Sequence, residues 1–574
     1  MTVPQRPPGA PRTAVAVAGR PDVTVILAVY NTMPYLTGCL DSLLAQSIGL
    51  DRLRIVAVDD GSTDGGGAEL DRYARAHPGT VTVVHQPNSG GPAAPSNRAL
   101  EAATGRYVYF MGSDDRLGPE ALARLVACAD EYGSDIVVGK MTGVGGRYVH
   151  QALFAESGPS APDVGLYDSA LPFTLSNAKL FRRELVERHG LRFPEDMPVG
   201  SDQPFTIEAC VRARRISVLA DYTYYYALKR RDAGNITYRA GHTDRLRCTA
   251  RIMDHTAGLI PPGPERDSVL HRHFTWELAK LLQSDFPALA APVRARVCEG
   301  IGALADAYLT DPLRDLLPVR RRVRIELARR GAAEVLVRAI EDEERNGPVF
   351  ALAGDGRAHL RCPGFRDPAL GLPDRVFEVL GESILPALAS GTELLESAWE
   401  QHGDDLALTL AVRTPLTGDT SSAVVRLLPG ALPKSADGPG GRQLPPGHDP
   451  PPAAGRFTRE ELPGGTVLRA RIPVEARTAS LAVRLHVRVA GRWYEIPVRG
   501  RGKPMPLARR WRLDDSYRVS ARVDARGRMV VRTGPMFPPR VPWPTRVRRR
   551  LAALLPGGPS ARSSARSSAR AKRK

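Results

Sequence analysis

Short apolar runs alternate with helical segments over the first 140 residues, and this alternation constrains the fold more than any other feature. Val23–Val29 (VTVILAV) is a nearly continuous β-branched run, typical of a strand buried on both faces. Four similar runs follow it: Leu53–Val58, Thr80–Gln86, Tyr107–Met111 and Asp135–Gly139. Strands that alternate with helices predict an α/β domain with a largely parallel sheet. Ligands of such sheets bind beyond the carboxyl ends of the strands, so candidate chemistry is expected there.

The pattern changes twice after this domain. Residues 243–346 contain long stretches with helical periodicity, and from about Thr392 short strand-like runs are separated by turn residues. About seven such runs predict an immunoglobulin-like β-sandwich. The predicted organisation is a disordered N-terminus (1–20), an α/β domain (21–242), a helical linker region (243–387), the β-sandwich (388–535) and a basic tail (536–574).

Positive charge is concentrated at the ends of the chain. The 574 residues carry a net charge of +18, and Arg540–Lys574 alone contains eleven Lys or Arg and no Asp or Glu. Because the rest of the chain is nearly balanced, the sequence is not that of a general DNA-binding protein. The tail also has no aromatic and basic platform for nucleic acid, so no specific nucleic-acid partner is predicted.

Cysteine usage and the N-terminus favour the cytoplasm. The six cysteines lie far apart without CxxC or similar spacing, so neither a zinc site nor a redox motif is indicated. Scattered thiols in apolar patterns are typical of buried cysteines in a reducing compartment. Met1–Arg20 lacks the continuous apolar stretch of a secretory signal peptide.

Acidic residues follow two of the predicted strands. Val58–Asp64 (VDDGSTD) comes directly after the second strand, and Gly112–Asp115 (GSDD) directly after the fourth. The first has the residues of an ordinary strand-to-helix turn, but its carboxylates are also placed to accept hydrogen bonds from a ribose or a base. The second is either a solvated turn or a site for a hard divalent cation, which prefers oxygen ligands.

A further acid, Asp202, lies in Pro198–Phe205 (PVGSDQPF) near a predicted helix start. Such an Asp is most often a helix cap. The alternative is a general base that takes a proton from an attacking hydroxyl.

The order of these motifs resembles family 2 glycosyltransferases of the GT-A fold. The residues that carry the resemblance are Val25–Asn31, Val58–Asp64, Asn97–Leu100, Ala103–Tyr107 and Gly112–Asp115. Within that family the chain is most similar to the poly(ribitol phosphate) N-acetylglucosaminyltransferases of wall teichoic acid. That similarity rests on Asn88–Pro92, Pro95–Asn97, Gly112–Asp115 and Asn177–Arg182, and on the linker and C-terminal sandwich.

The resemblance implies roles for residues of the first domain. Tyr30 lies against the nucleobase, and Ala28 offers backbone contacts. Asp60 binds the uracil, with Asp59 beside it. The resemblance also implies that Asp114 and Asp115 form the DXD motif, which holds Mn²⁺ or Mg²⁺ on the donor diphosphate. It implies that Asp202 is the catalytic base.

Four more residues are implied at the donor pocket. Asn97 and Arg98 are expected to orient it. Arg230 and Arg231 match a region where relatives place cations over the diphosphate or the acceptor, although a solvated basic loop explains them equally well. Many relatives have Glu where this chain has Ser201, which removes a helper for the base but not the base itself.

Taken together, the resemblance implies an inverting transferase that moves a sugar, GlcNAc, from a UDP-sugar to a cell-surface polymer such as a polyol-phosphate teichoic acid. It also implies a homo-oligomer, such as a trimer. The alternative is a catalytically inactive glycan- or membrane-binding protein built on a GT-A domain. The basic tail is either disordered and solvated or a peripheral anchor on an anionic membrane or polymer.

Overall fold

The computed structural model describes residues 20–230, 240–381, 383–403, 405–429, 441–450, 452–475, 479–500, 505–510 and 516–536. The predictions for the N-terminus and for the basic tail therefore lie almost entirely outside the described residues. Two compact units are present. The first comprises the described residues up to Arg345 together with Cys362–Leu380, and the second comprises the remainder.

An eight-stranded sheet forms the centre of the first unit, in the order β3-β2-β1-β4-β9-β6-β10-β8. Its strands are β1 (Val23–Val29), β2 (Leu53–Asp59), β3 (Val81–His85), β4 (Tyr107–Gly112), β6 (Ile136–Gly139), β8 (Ser160–Ala161), β9 (Leu180–Arg182) and β10 (Ile216–Leu219). A smaller sheet contains β5 (Arg116–Leu117), β7 (Met141–Val144) and β11 (Tyr225–Leu228). The first four strands are mutually parallel, whereas β9 runs antiparallel to both of its neighbours. The predicted α/β class is confirmed.

Helices cover both faces of this sheet. They are α1 (Tyr35–Leu44), α2 (Gly66–Ala76), α3 (Ala93–Glu101), α4 (Ala121–Tyr132), α5 (Ala152–Glu156), α6 (Arg183–Arg188) and α7 (Asp202–Arg212). Successive strand residues point to opposite faces, so Val25 and Ile26 enter two different core layers. One layer contains α1 and α4, and the other contains α3 and α7. A sheet buried on both sides explains the continuous apolar runs of the sequence.

The linker region continues the first unit with helices. Their bounds are His242–Leu259, Pro264–Arg272, Ala291–Tyr308, Asp311–Leu316, Val319–Arg329, Ala333–Asn346 and Asp374–Phe377, with a π-helical turn at His273–Leu278. Ile252 and Val269 belong to the same core layer as α3 and α7, so these helices pack directly on the α/β domain. Among the described residues, every helix is either too short or too polar to span a bilayer.

Arg322 connects the linker helix Val319–Arg329 to residues 376–378. Its side chain is fully buried, and its guanidinium donates to the carbonyl oxygens of Val376 at 2.9 Å, Leu317 at 3.4 Å and Glu378. Replacing Arg322 with Met leaves these carbonyls without their donor, and each buried unsatisfied group costs about 1–3 kcal/mol.

We therefore expect R322M to lower the free energy of unfolding of this unit by about 3 kcal/mol. Urea denaturation followed by circular dichroism measures the change. Arg330→Ala, which removes an exposed arginine from the same linker, is the matched control and should change stability by less than about 0.5 kcal/mol. A change of equal size in both variants would refute the anchoring role.

The second unit is built of β-sheets. Its described strands are Val349–Leu352, Ala358–Arg361, Glu393–His402, Asp405–Thr414, Leu416–Gly418, Val424–Pro429, Arg442–Gln443, Arg456–Leu462, Gly465–Pro473, Ala479–Val489, Arg492–Pro497, Ala508–Arg510, Tyr517–Val523 and Met529–Pro535. A helix at Leu385–Gly391 precedes most of them. They form sheets of three, four and seven strands. The β-rich character is as predicted, whereas the immunoglobulin-like arrangement stays a prediction.

Two strands of this unit, Val349–Leu352 and Ala358–Arg361, fall inside the region predicted to be a helical linker. They pair as an antiparallel hairpin. A strand of four residues is too short for its periodicity to distinguish it from a helix, which explains why the sequence did not reveal either strand.

Candidate active site

Three strand ends meet at one edge of the large sheet. β1 lies between β2 and β4, with Val29 paired to Asp59 and Ala28 paired to Gly112. Because all three strands are parallel, the residues after each carboxyl end emerge side by side. A cavity of about 1410 Å³ opens at this edge.

Most of the sequence-predicted site residues line this cavity. They are Ala28, Tyr30, Asp60, Asp114, Asp115, Asp202 and Arg230. Asp59, Asn97 and Arg98 are not among the lining residues. Arg231 lies outside the described residues.

The two acids after β2 have different surroundings. Asp60 is buried, and its carboxylate accepts hydrogen bonds from the Gln86 side chain at 2.6 Å and from the Ser89 hydroxyl at 2.9 Å. Asp59 instead accepts from the Ser62 amide at 3.0 Å and lies 3.0 Å from the His85 ring. Burial alone would raise the pKa of Asp59, but these hydrogen bonds outweigh it and lower that pKa. Asp60 is therefore held at the cavity, while Asp59 holds the turn.

Gly61 permits the close fit of this turn. Its φ is +77°, in the left-handed region, and a Cβ at this position would lie 2.9 Å from the backbone nitrogen of Asn88. Only glycine fits both conditions without strain. The Asp60 carboxylate is thereby kept beside the Asn88–Ser89 segment.

Arg230 is fixed to the end of β1. Its guanidinium donates to the carbonyl oxygen of Asn31 at 2.8 Å and lies 5.8 Å from the ring centroid of Tyr35. Asn31 itself has φ of 50° and accepts a hydrogen bond from the Thr63 amide at 2.8 Å. The neighbouring Tyr30 is 45% exposed and lines the cavity. A cation and an exposed aromatic residue thus line the same cavity.

Asp115 is the buried member of the second acid pair. Its carboxylate accepts from the Tyr225 hydroxyl at 2.6 Å and from the Leu228 amide at 2.7 Å. Burial first, and then the negative charge of Asp114, raises the pKa of Asp115 to about 6. The more accessible Asp114 also faces the cavity. This pair concentrates unfavourable negative charge, which a bound cation would relieve.

Asp202 is the first residue of α7, and the position before it belongs to Ser201. Asp202 is therefore not the N-cap of α7, although a helix cap is the most common role for an Asp near a helix start. Burial raises the pKa of Asp202, while the positive charges of Arg272 and Lys179 partly oppose that effect. A half-buried carboxylate with a raised pKa is suited to accepting a proton.

Asn97 has a tethering role. Its side-chain amide donates to the Phe193 carbonyl at 2.9 Å and to the Glu195 carboxylate at 2.9 Å, and its oxygen accepts from the Phe193 amide at 2.9 Å. These bonds tie α3 to the segment that leads to Asp202. Arg98, on the same helix, is exposed.

One wall of the cavity was not predicted from the sequence. Trp276 and Arg272 come from the linker, and Trp276 contacts the rings of His150 and Phe173 at centroid distances of 5.2 and 5.5 Å. Arg147 lines the same cavity. The one sequence signal was the concentration of charged and aromatic residues in His271–Lys280, which is unusual for a purely connecting helix.

Comparison with known proteins agrees with this architecture. Residues 24–190 match the family described as "Glycosyl transferase family 2", and residues 242–340 match "Glycosyl transferase TarS linker domain". The structure of Staphylococcus aureus TarS 1-349 in complex with UDP-GlcNAc superposes with a TM-score of 0.53 at 30% sequence identity. That superposition covers 63% of this chain and 100% of the other. The α/β domain is therefore a GT-A glycosyltransferase domain, and the chain belongs to glycosyl transferase family 2.

Several of the similar curated proteins have names that specify poly(ribitol phosphate). The chain is 40% identical over 208 residues to the poly(ribitol-phosphate) beta-glucosyltransferase of Bacillus spizizenii. It is 41% identical over 207 residues to the poly(ribitol-phosphate) beta-N-acetylglucosaminyltransferase TarS of S. aureus. Each alignment covers 36% of this chain and, respectively, 32% and 35% of the relative. The chain thus spans about a third of the length of these curated relatives. The predicted resemblance to wall teichoic acid glycosyltransferases is confirmed.

Proposed function

We propose that this protein is an inverting glycosyltransferase that moves GlcNAc from UDP-GlcNAc to a hydroxyl of a polyol-phosphate polymer. The observation that carries the proposal is the shared cavity at the ends of β1, β2 and β4. It brings together carboxylates suited to a nucleobase, to a cation and to proton transfer: Asp60, Asp114, Asp115 and Asp202.

In the proposed reaction, the acceptor oxygen attacks C1 of the sugar from the face opposite the nucleotide. The new bond from oxygen to C1 forms as the bond from C1 to the diphosphate oxygen breaks. The hydroxyl proton passes to Asp202, and UDP leaves with the bonding electron pair. The raised pKa of Asp202 supports this role, because it makes the carboxylate a stronger proton acceptor.

The donor is proposed to lie along the strand ends. Tyr30 offers its exposed ring to the uracil, Asp60 accepts a hydrogen bond from the base, and the backbone of Ala28 adds contacts. Arg230, held by Asn31, places a positive charge near the diphosphate. The neighbouring Arg231 is proposed to assist it.

We propose Asp114 and Asp115 as the ligands of Mn²⁺ or Mg²⁺. Adjacent carboxylates match the oxygen preference of these cations. Within the described part of the chain no group of three or more acidic, His or Cys side chains is arranged to hold a metal. The other ligands would then be donor phosphate and water. When bound, the cation supplies positive charge that stabilises the departing diphosphate.

The proposed donor and acceptor rest on the relatives. Their names specify poly(ribitol phosphate), and the S. aureus structure contains UDP-GlcNAc. An inactive binding protein is not supported, because the carboxylates that the reaction needs are all present in the cavity. One relative is named as a glucosyltransferase, so the donor panel below compares UDP-sugars.

The proposal is tested by incubating the full chain with Mn²⁺, poly(ribitol phosphate) and a panel of nucleotide sugars while nucleotide release is measured. We expect release that depends on the polymer and is fastest with UDP-GlcNAc. Faster release from another UDP-sugar would correct the donor, and release from none would refute the function.

We also propose that the protein is a homo-oligomer, such as a trimer, assembled through its β-rich region. The support is the extra mass of that region, which a GT-A domain does not need for chemistry. Light scattering of the full chain should give a multiple of the 62.2 kDa monomer. A chain that ends near Ala387 should be monomeric. A monomeric full chain at micromolar concentration would contradict this.

Cytoplasmic location with peripheral attachment to the inner face of the membrane is proposed from the basic tail. Each basic residue near an anionic surface contributes about 1 kcal/mol, and Arg540–Lys574 contains eleven. We expect the full chain to co-sediment with anionic vesicles at low salt and to be released at high salt, because salt screens the attraction. A version that ends at Pro539 should stay in solution. Equal binding by both versions would show that the tail is not the anchor.

A further inference from the structure

A buried ring of side chains joins the linker to the helix that carries Asp202. Arg272 donates to the Gln203 side-chain oxygen at 3.1 Å and pairs with Glu277 at 3.1 Å. The Gln203 amide donates to the same Glu277 oxygen at 3.4 Å. The side chain of Glu277 is only 12% exposed and does not line the cavity, whereas Arg272 does.

The π-helical turn at His273–Leu278 makes this ring possible. Arg272 ends the preceding helix, and Glu277 is five residues further along. In an α-helix, residues five apart diverge by about 140° around the axis. A π-helical turn bonds residue i to residue i+5 and therefore brings such a pair onto one face. Turns of this kind occur often at functional sites.

The charges in this network act on Asp202. Among the charges that oppose the effect of burial on the pKa of Asp202, Arg272 is the largest and Lys179 is smaller, while the Glu277 charge raises that pKa. Glu277 is itself ionised, because Arg272 and His273 outweigh its burial and lower its pKa to about 2. Without Glu277, the buried Arg272 guanidinium would either turn away from Gln203 or remain as an uncompensated buried charge.

We propose that Glu277 is a positioning residue, which holds the Arg272 guanidinium against Gln203, the neighbour of Asp202, in the cavity that Asp202 also lines, and thereby makes the linker part of the catalytic centre. This inference rests on the proposed function, since it assumes that Asp202 is the base. It differs from a purely structural role of the linker, in which the same contacts would only join two helical layers.

The test is the pH dependence of turnover in the full-length Glu277→Gln enzyme. Loss of the Glu277 charge by itself would lower the pKa of Asp202. The low-pH side of the rate profile, its acid limb, would then move to lower pH. Loss of a correctly placed Arg272 removes the main charge that keeps Asp202 ionised, and so moves that limb to higher pH, by about one unit. The proposal predicts the shift to higher pH, with the KM for UDP-sugar changed less than turnover.

Two variants complete the experiment. Glu299→Gln removes an exposed carboxylate from the linker helix Ala291–Tyr308 and should leave the profile unchanged. Should Glu277→Gln not fold, Gln203→Met breaks the same ring without leaving an unpaired charge and should shift the limb in the same direction. An unmoved limb, or one displaced to lower pH, would overturn the proposal.

Failure of the proposed function gives a different result. If wild-type enzyme shows no polymer-dependent turnover, or if the acid limb persists in the residual activity of Asp202→Asn, the assignment of the base is wrong and this inference falls with it. If the wild-type limb disappears in Asp202→Asn but is unaffected by Glu277→Gln, only the positioning role is refuted.

Discussion

Asp202→Asn is expected to slow sugar transfer by at least about a hundredfold while UDP-sugar binding is retained. Asn has almost the same shape as Asp but is a very poor proton acceptor, so the variant removes general-base catalysis and little else. Single-turnover transfer and equilibrium binding of UDP-sugar are the two measurements.

Asp51→Asn is the matched control. Asp51 is exposed and precedes β2, so it lies at the end of the strand opposite the cavity. The Asp51→Asn variant should transfer sugar at the wild-type rate. A wild-type rate in Asp202→Asn would mean that another group is the base. The nearest acids in the sequence already have partners: Glu195 accepts from Asn97, and Asp196 pairs with Arg251 at 3.0 Å.

Chelation of divalent metal is expected to have an effect of similar size. If Asp114 and Asp115 hold Mn²⁺ or Mg²⁺, EDTA should abolish turnover and added Mn²⁺ should restore it. Metal stabilisation of a leaving group contributes several kcal/mol, so Asp114→Asn should lower turnover by at least about a hundredfold. Asp114 is the better position to change, because Asp115 also accepts from Tyr225 and Leu228 and so supports β11.

A binding measurement separates the metal role from other effects on turnover. Thermal stabilisation of the wild-type protein by UDP should increase when Mn²⁺ is added, and the increase should be missing in Asp114→Asn. Asp51→Asn should respond like wild type. Full turnover after thorough chelation would contradict the metal site.

The acids at the strand ends could be found from the sequence because the strands themselves are visible as local apolar runs. β1, β2 and β4 are continuous apolar runs, and parallel strands bring whatever follows them to one edge of the sheet. Asp60 and Asp115 could therefore be placed near each other without any knowledge of side-chain packing. The sequence could not separate the surroundings of Asp59 and Asp60, because these depend on His85 and Ser89, which approach from other segments.

The linker wall could not be found in this way. Arg272 and Trp276 reach the cavity because the helices after residue 242 pack on the core layer of α3 and α7. That packing depends on contacts between distant parts of the chain, which helical periodicity does not encode. The π-helical turn adds a second difficulty, since it departs from the 3.6-residue repeat on which the helical prediction rested.

Product analysis tests the central claim most directly. The full chain is incubated with Mn²⁺, UDP-GlcNAc and poly(ribitol phosphate), and the polymer is examined by nuclear magnetic resonance while released UDP is quantified. The proposed reaction predicts one β-linked GlcNAc on the polymer for each UDP released, because displacement from the face opposite the nucleotide inverts the α-configured donor. An α-linked product, or UDP release without attachment of sugar to the polymer, would contradict it.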